Sequence, residues 1–391
     1  MVLVLIIQGI FFFLKNPDVK KLVFELLKNN LNHHTRRSWV YLKDQLIPFP
    51  FQVNFGLLSG SISKECLGDF IFARGMRHSE TKIENFRNWL ITVFGGGLNK
   101  YFFGPYNQKM WQIPLSEITL DWVEKFIPQP CLDDVVDGAL GKIEKKFGYN
   151  AEFWYPKKGG IFSLPLALKN RIKNLHLNEK AVEISLKKRT IKFKSKNEIA
   201  YRDIVSTMPL PELIKIIKDI PTEIKTKSSE LSYCSVFNVN FGLNVPVSPR
   251  IHWIYFPEEK YPFYRFGVLS NFSAKVTPYG KSSIYAEISY LPGEKINKKQ
   301  IIEDTIKRLI ELKVISDKND INTIKTLDIK YAYVIYNAAR KNYLNNIVGY
   351  LESQGIYSRG RYGSWEYSSM NDALISGMDI ARKINGNGNL L

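Results

Sequence analysis

The chain of 391 residues carries a formal charge of +18, with 45% hydrophobic and 24% charged residues. It is long enough to bury a sizeable core and to hold two joined domains, and its composition excludes a disordered or collagen-like chain. Cys66, Cys131 and Cys234 are an odd set with no CxxC spacing, which argues against a disulfide framework and for a reducing, cytoplasmic setting. Of the five histidines only His33 and His34 are adjacent, so no metal spacing is present, and Ser61 lacks the second glycine of a nucleophile elbow.

The apolar run Met1–Leu14 falls short of the ~20 residues that a spanning helix needs. It also lacks the basic start and small-residue cleavage site of a signal peptide. It reads as a buried strand, with peripheral membrane contact as the alternative. Residues 17 to 30 are predicted as an amphipathic helix with Val19, Leu22, Val23, Leu26 and Leu27 on one face. Residues 38 to 41 form a short strand leading to the Pro48–Gln52 turn. Residues 62 to 150 are predicted mainly helical, with breaks at Pro105, Pro114, Pro128 and Pro130 and a turn at Gly95-Gly96-Gly97. Past Arg189, the Lys187–Lys196 stretch alternates basic and apolar residues, as on the wet face of an antiparallel hairpin. From 230 to 290 the period becomes two: Val236, Asn238 and Asn240 alternate with Phe237, Val239 and Phe241, and Ser283–Tyr290 does likewise, so an antiparallel sheet is expected. A helix follows over 298 to 312. The net charge either solvates every surface or attracts a diphosphate-bearing substrate or an acidic membrane; no nucleic-acid recognition motif accompanies it.

Gly360 to Ala373 (Gly-Arg-Tyr-Gly-Ser-Trp-Glu-Tyr-Ser-Ser-Met-Asn-Asp-Ala) reads as a strand end, a glycine-arginine turn and a helix start rich in hydroxyl residues. Free N–H groups there favour an anion, and an arginine can fork onto a phosphate, so it is either a phosphate or flavin landing site or an ordinary capped helix. The order of residues closely resembles the last FAD-contacting segment of UDP-galactopyranose mutase-like and protoporphyrinogen oxidase-like flavoproteins. Tyr106-Asn107-Gln108-Lys109-Met110-Trp111 resembles the mutase Tyr-Thr-x-Lys-Gln-Trp motif. Tyr155-Pro156-Lys157-Lys158-Gly159-Gly160, running into Leu164–Leu168, is similar to the Pro-x-x-Gly-Gly turn and helix of the wider amine-oxidase-type flavoproteins. Ala181–Ile184 and Ile204–Leu210 resemble the strand pair that closes on the adenine end of FAD there. The resemblance spans roughly residues 10 to 385.

The resemblance implies an α/β (α+β) fold: a Rossmann-like FAD-binding domain interleaved with a helical block and an antiparallel-sheet substrate domain. Residues 1–40, 155–210 and 345–391 would build the FAD domain, and 41–154 and 211–344 the substrate domain. Two departures stand out. No GxGxxG occurs in the chain, so the fold is expected to lack its first βαβ unit, and Gln8-Gly9-Ile10 stands where the family has Gly-Gly-His. Ile127-Pro128 is followed by Gln129-Pro130-Cys131, where mutases carry an arginine for the nucleotide sugar.

Carried over residue by residue, the resemblance implies flavin contact through Gly360, Arg361, Ser369 and Met370, and adenine contact through the backbone of Val182. The substrate-facing candidates are Arg265, Tyr106, Trp111 and Tyr336, with Arg265 nearest to a catalytic role. Arg265 follows Tyr261-Pro262-Phe263-Tyr264 and is either a shielded phosphate partner or a surface strand arginine. Tyr331, Tyr333 and Tyr336 are expected on one strand face, as phosphate-holding hydroxyls or as core. Tyr106 and Trp111 would flank a base or sugar, or form a helix-end aromatic cluster. No metal is expected. Three functions follow: a mutase-like flavoprotein acting on a nucleotide sugar or related anionic small molecule, an FAD oxidoreductase of the protoporphyrinogen oxidase, amine oxidase or desaturase kind, or a non-catalytic, partner-binding remnant. FAD is the expected cofactor, weakly held without the fingerprint, and a partner chain or oligomer would complete its domain.

Overall fold

The computed structural model describes residues 11–76, 82–142, 151–248 and 250–386. Most of the expected N-terminal strand, including Gln8-Gly9-Ile10, lies outside them. Helix α1 (Pro17–Leu27) starts where the Asn16 side chain accepts from the N–H groups of Asp18 and Val19, with proline at its first position. It buries Val19, Val23 and Leu27, while Leu22 and Leu26 are partly exposed. It stops three residues before the expected Asn30, because Lys28 turns to a φ of 50° and its N–H bonds back to Phe24.

Strands β1 (Ser38–Leu42) and β2 (Gln45–Pro48) form a hairpin. Then α2 (Gly60–Gly75) packs on α3 (Phe86–Leu98), which passes through a π-helical turn (Asn99–Phe103) into α4 (Gly104–Trp111). Two sequence expectations are corrected here. Gly95-Gly96-Gly97 is not a turn between helices but a kink inside α3, with Gly95 at φ 80°. A Cβ at Gly95 would lie 2.4 Å from the Asp69 carbonyl oxygen, and one at Gly97 2.8 Å from Cys66 Cα, so the glycines let two helix backbones touch. Pro105 does not break the helical run; it occupies the first turn of α4, where a backbone N–H has no intrahelical acceptor. Pro114, Pro128 and Pro130 do lie between helices.

Strands β3 (Tyr233–Leu243), β4 (Trp253–Tyr255), β5 (Arg265–Val268) and β6 (Ser282–Tyr290) follow, then α5 (Lys298–Glu311) and β7 (Ile321–Val334). The large sheet has the order β7-β3-β6-β5-β4-β1-β2. The described β3–β6, β6–β5, β5–β4 and β1–β2 pairs are antiparallel, and β4 runs parallel to β1. Phe237, Val239, Phe241, Phe266, Ile284 and Ile288 pack one face of it with Ile306 and Leu309 of α5. The expected alternation in β3 and β6 is therefore real, and its apolar half is the core. β7 ends at Val334, so Tyr336 has left the strand and does not share a strand face with Tyr331 and Tyr333.

By contacts the chain divides into two units. The first comprises Phe11, Asn29–Ser163 and Cys234–Ala332; the second Phe12–Lys28, Leu164–Tyr233 and Tyr333–Leu391, of which residues to 386 are described. Residues 29–40 were expected with the cofactor domain; they cluster with the sheet unit because β1 adds to the large sheet. Residues 211–233 and 333–344 cluster with the second unit. In that unit Ile204–Ser206 and Ile356–Ser358 form a two-stranded parallel sheet. Thr190–Phe193 is the middle strand of a three-stranded antiparallel sheet between Ala181–Ser185 and Glu198–Ala200. The strands expected to close together on adenine thus belong to separate sheets. Helix α6 (Met370–Ile384) ends the described chain. Among the described residues the three cysteines are free, no cluster of metal-ligating groups occurs, and no helix is long and apolar enough to cross a membrane.

Candidate functional site

In the sheet unit, the second face of the large sheet is buried and mixed, with Trp253 and Tyr285 in an aromatic cluster with Phe153 and Phe272 beside a row of polar side chains. Tyr255, Arg265, Glu287 and Asn238 are cross-strand partners in one row, and Trp253, Gly267, Tyr285 and Asn240 form the next. A Cβ at Gly267 would lie 2.2 Å from the Tyr285 ring, so only glycine lets that ring lie across the strand. Arg265 Nε donates to Glu287 Oε2 at 2.6 Å; the Arg265 side chain is 18% exposed and Glu287 fully buried. Asn240 Nδ2 donates to Asn238 Oδ1 at 2.5 Å. Glu287 Oε1, Asn238 Nδ2, Asn240 Oδ1 and the hydroxyls of Ser283 and Ser289 are buried without a protein partner. Buried polar atoms of this kind are satisfied by ordered water or a ligand. Glu287 neutralises Arg265, so the row offers hydroxyl-type donors and acceptors and one directed guanidinium, and no net positive charge.

Tyr106 on α4 reaches this row. Its ring lies 5.2 Å from Tyr255 and 6.2 Å from Tyr264 and stacks on Phe102 at 5.4 Å. Trp111, the last residue of the same helix, is fully buried against Trp122 at 5.1 Å, inside the helical block. Lys109 lies between them in sequence. Its ammonium donates to the carbonyl oxygens of Phe256, Glu258, Tyr261 and Phe263 at 2.9, 3.0, 2.9 and 2.9 Å. Burial pushes its pKa down to about 7, opposed by the charges of Glu259 and Glu258. A neutral amine has two protons and a lone pair that would face these oxygens, whereas an ammonium meets the four carbonyls with three protons, one of them shared, so the site favours the charged form. Among the aromatic rings of Phe153 and Phe272, His252 is buried; its Nδ1 accepts from the Arg37 N–H at 3.0 Å, and burial holds its pKa down at about 3.

The second unit carries the glycine-arginine segment. Arg361 Nη1 donates to Ser368 O at 2.5 Å, and its guanidinium lies 4.9, 5.5 and 5.8 Å from the rings of Tyr367, Tyr333 and Tyr362. Tyr336 accepts from the Tyr367 N–H at 2.8 Å and lies under Arg340, whose guanidinium is 3.7 Å from its ring. Tyr336 is therefore tied into the same segment as Arg361. Ser369 caps α6 through a reciprocal bond with Asp372. The N–H groups of Met370 and Asn371, in the first turn, have no intrahelical acceptor. Ser368 Oγ, beside them, is buried without a protein partner. Gly360 has a φ of 73°, and a Cβ there would meet nothing closer than Thr207 Cγ2 at 4.0 Å. Val182 is 40% exposed and sits at a register shift that leaves it out of the strand ladder.

Among the groups at this helix start, the orphaned Ser368 hydroxyl and the first-turn N–H groups fit the phosphate-bearing part of a flavin dinucleotide. Lys109, Glu287, Asn238, Asn240 and Ser368 were not singled out from the sequence. The polar residues at alternate positions of β3 and β6 were the available signal for three of them.

The family described as flavin containing amine oxidoreductase matches residues 74–385. A solved structure of reduced UDP-galactopyranose mutase is similar at 25% identity and a TM-score of 0.89, over 97% of this chain and 82% of that one. A protein from Exiguobacterium sp. 255-15 assigned as a protoporphyrinogen oxidase shares the fold at 13% identity and a TM-score of 0.69, over 94% and 84%. A redesigned putrescine oxidase does so at 12% identity and 0.59, over 94% and 86%.

Proposed function

The chain belongs to the flavin-containing amine oxidoreductases, and we propose that it holds FAD and acts, mutase-like, on a nucleotide sugar or a related anionic small molecule. The observation that carries this reading is the row Tyr255–Arg265–Glu287–Asn238 with Tyr106 beside it. Arg265, held in place by Glu287, would present its guanidinium to a phosphate. The asparagines and serines of the same face suit sugar hydroxyls, and the Tyr106 ring suits a base or sugar face. Arg361, Ser368, Ser369, Met370 and Gly360 would hold the phosphate and ribityl end of FAD, with the Val182 backbone at the adenine. When bound, a flavin supplies a nucleophile or a hydride acceptor, so the protein needs no strong base of its own. Turnover of UDP-galactopyranose to the furanose by the dithionite-reduced protein tests the proposal. Silence there, with oxygen consumption on an amine or a hydrophobic substrate, would instead establish the oxidoreductase reading, for which the putrescine oxidase fold is the relevant likeness.

A second reading rests on the cofactor unit. Its parallel sheet has two strands among the described residues, and Val205 on one of them is 45% exposed. Parallel sheets are ordinarily larger and covered on both faces. With no GxGxxG in these residues, FAD would be held weakly by them alone and more firmly once a strand and glycine-rich turn are supplied from outside them. Visible absorbance of the purified chain reads this directly: near-stoichiometric flavin would end it.

A further inference from the structure

The loop between β4 and β5 (Phe256 to Tyr264) is closed at its neck by the Phe256 N–H donating to Tyr264 O at 2.9 Å, and Tyr264 N–H donates to Glu287 O at 3.0 Å. Pro257 and Pro262 remove two backbone donors from it, so its carbonyls outnumber the N–H groups that could answer them. The four carbonyls of Phe256, Glu258, Tyr261 and Phe263 all turn inward onto Lys109 Nζ, at 2.9 to 3.0 Å. An ammonium has three protons. Four acceptors at nearly equal range is the coordination of a small ion, which a lysine side chain here completes. Outside the cage, Phe256, Tyr261 and Phe263 are buried in the sheet's apolar core, with Phe256 4.8 Å from each of the other two rings. The carbonyls of Phe256, Tyr261 and Phe263 therefore cannot turn to water without unpacking that core, and left unanswered they would be costly, whereas Glu258 O also accepts from the Tyr261 N–H at 3.3 Å.

We propose that this loop is a carbonyl cage for one monovalent cation, filled by the protein's own Lys109, and that the tethered cation positions Tyr264 and Arg265 against Tyr106. Lys109 and Tyr106 share α4, and Arg265 follows the cage directly, so the cation fixes the distance between the helix and the guanidinium-bearing strand. The role of Arg265 toward an anion rests on the proposed function; the cage does not. The Lys109 stem lines an open cleft of about 490 Å³ with Arg87, Gln108, Pro114 and Glu259, which gives small ions a way in once the stem is cut back.

The test compares Lys109→Ala, which empties the cage, with Lys109→Met, which keeps the stem and removes the charge. Hydrogen exchange over residues 256–264 and tryptic cleavage after Lys260 are followed in full-length protein, in ammonium, potassium or tetramethylammonium chloride at one ionic strength. In tetramethylammonium both variants are expected to lose protection on the order of tenfold or more. Ammonium or potassium should restore it in Lys109→Ala and leave Lys109→Met unprotected. Undiminished protection in Lys109→Ala, or equal recovery in all three salts, overturns the cage. If Lys109→Ala folds only in ammonium or potassium, the cage is upheld; failure to fold in any salt overturns it. UDP binding by calorimetry separates the two claims. Ion rescue of the loop in a protein that never binds UDP upholds the cage and removes the nucleotide-sugar reading, whereas UDP binding lost and regained with the ion upholds both.

Discussion

On the large sheet, the face built from Phe237, Val239, Phe241, Ile284 and Ile288 and the face built from Asn238, Asn240, Ser283 and Glu287 are buried alike. They alternate residue by residue along the same two strands. The first needs only shape: its atoms have no directional demand, and its contribution is burial from water. The second has donors and acceptors that the protein itself leaves unanswered. A sheet stabilised by its apolar half can carry an under-satisfied polar half, and such a half is where a ligand or ordered water has something to gain.

Truncating the apolar face should cost the most. Phe241→Ala removes a fully buried ring and is expected to destabilise by about 3–5 kcal/mol in denaturant unfolding. A loss below about 1 kcal/mol would mean that this face is not the core. On the polar face, Arg265→Ala strands the buried Glu287 carboxylate; removing one partner of a buried pair costs about 3–5 kcal/mol, and the partial exposure of Arg265 brings that to the low end. The double change Arg265→Met with Glu287→Met should be far milder, since it removes both charges at once. If single and double changes cost the same, the charges contribute no more than their volume. Both Arg265 variants should also weaken binding of a diphosphate probe.

In the cofactor unit, Arg361→Ala should weaken flavin retention by about 1.5–3 kcal/mol, the range for a hydrogen bond to a charged group. Unchanged flavin content on titration would remove Arg361 from the cofactor site. His252 gives a pH signature. Burial keeps it neutral when folded, at about 3, so between there and its ordinary value near 6.5 the unfolded chain binds the extra proton. Stability from this group is full above about pH 6.5 and falls as the pH drops, by roughly 1.4 kcal/mol per pH unit inside the window. Replacing His252 by Phe should flatten that slope in acid unfolding; an unchanged slope would place the acid sensitivity elsewhere.

The β3 and β6 strands were legible because period two is written into single stretches of sequence, whereas the α/β class came from the resemblance. The glycine-arginine segment was legible as an order of residues, although the sequence did not reveal that Tyr336 would tie to Tyr367. The kink in α3 was hidden because a glycine triplet reads as a turn until a neighbouring helix backbone is known to press on it. The partners of Lys109, itself read within the Tyr106–Trp111 motif, were hidden for a deeper reason. They are backbone carbonyls about 150 residues away, and no side-chain pattern encodes where a carbonyl points.

The smallest effect gives the sharpest reading of the two faces. In Asn240→Ala the chain loses one donated bond to Asn238 Oδ1 and also loses a buried acceptor, Oδ1, that has no protein partner. The lost bond is worth about 0.5–1.5 kcal/mol, and the unanswered acceptor that is removed, at about 1–3 kcal/mol, is offset by Asn238 Oδ1, which is left buried without its donor. The expected change in unfolding free energy is therefore a loss of about 0.5–1.5 kcal/mol, in contrast to the apolar Phe241 one position along. A loss above about 2 kcal/mol would show that ordered water already completes the Asn240 acceptor, making the polar face a finished network with nothing left for a ligand to satisfy.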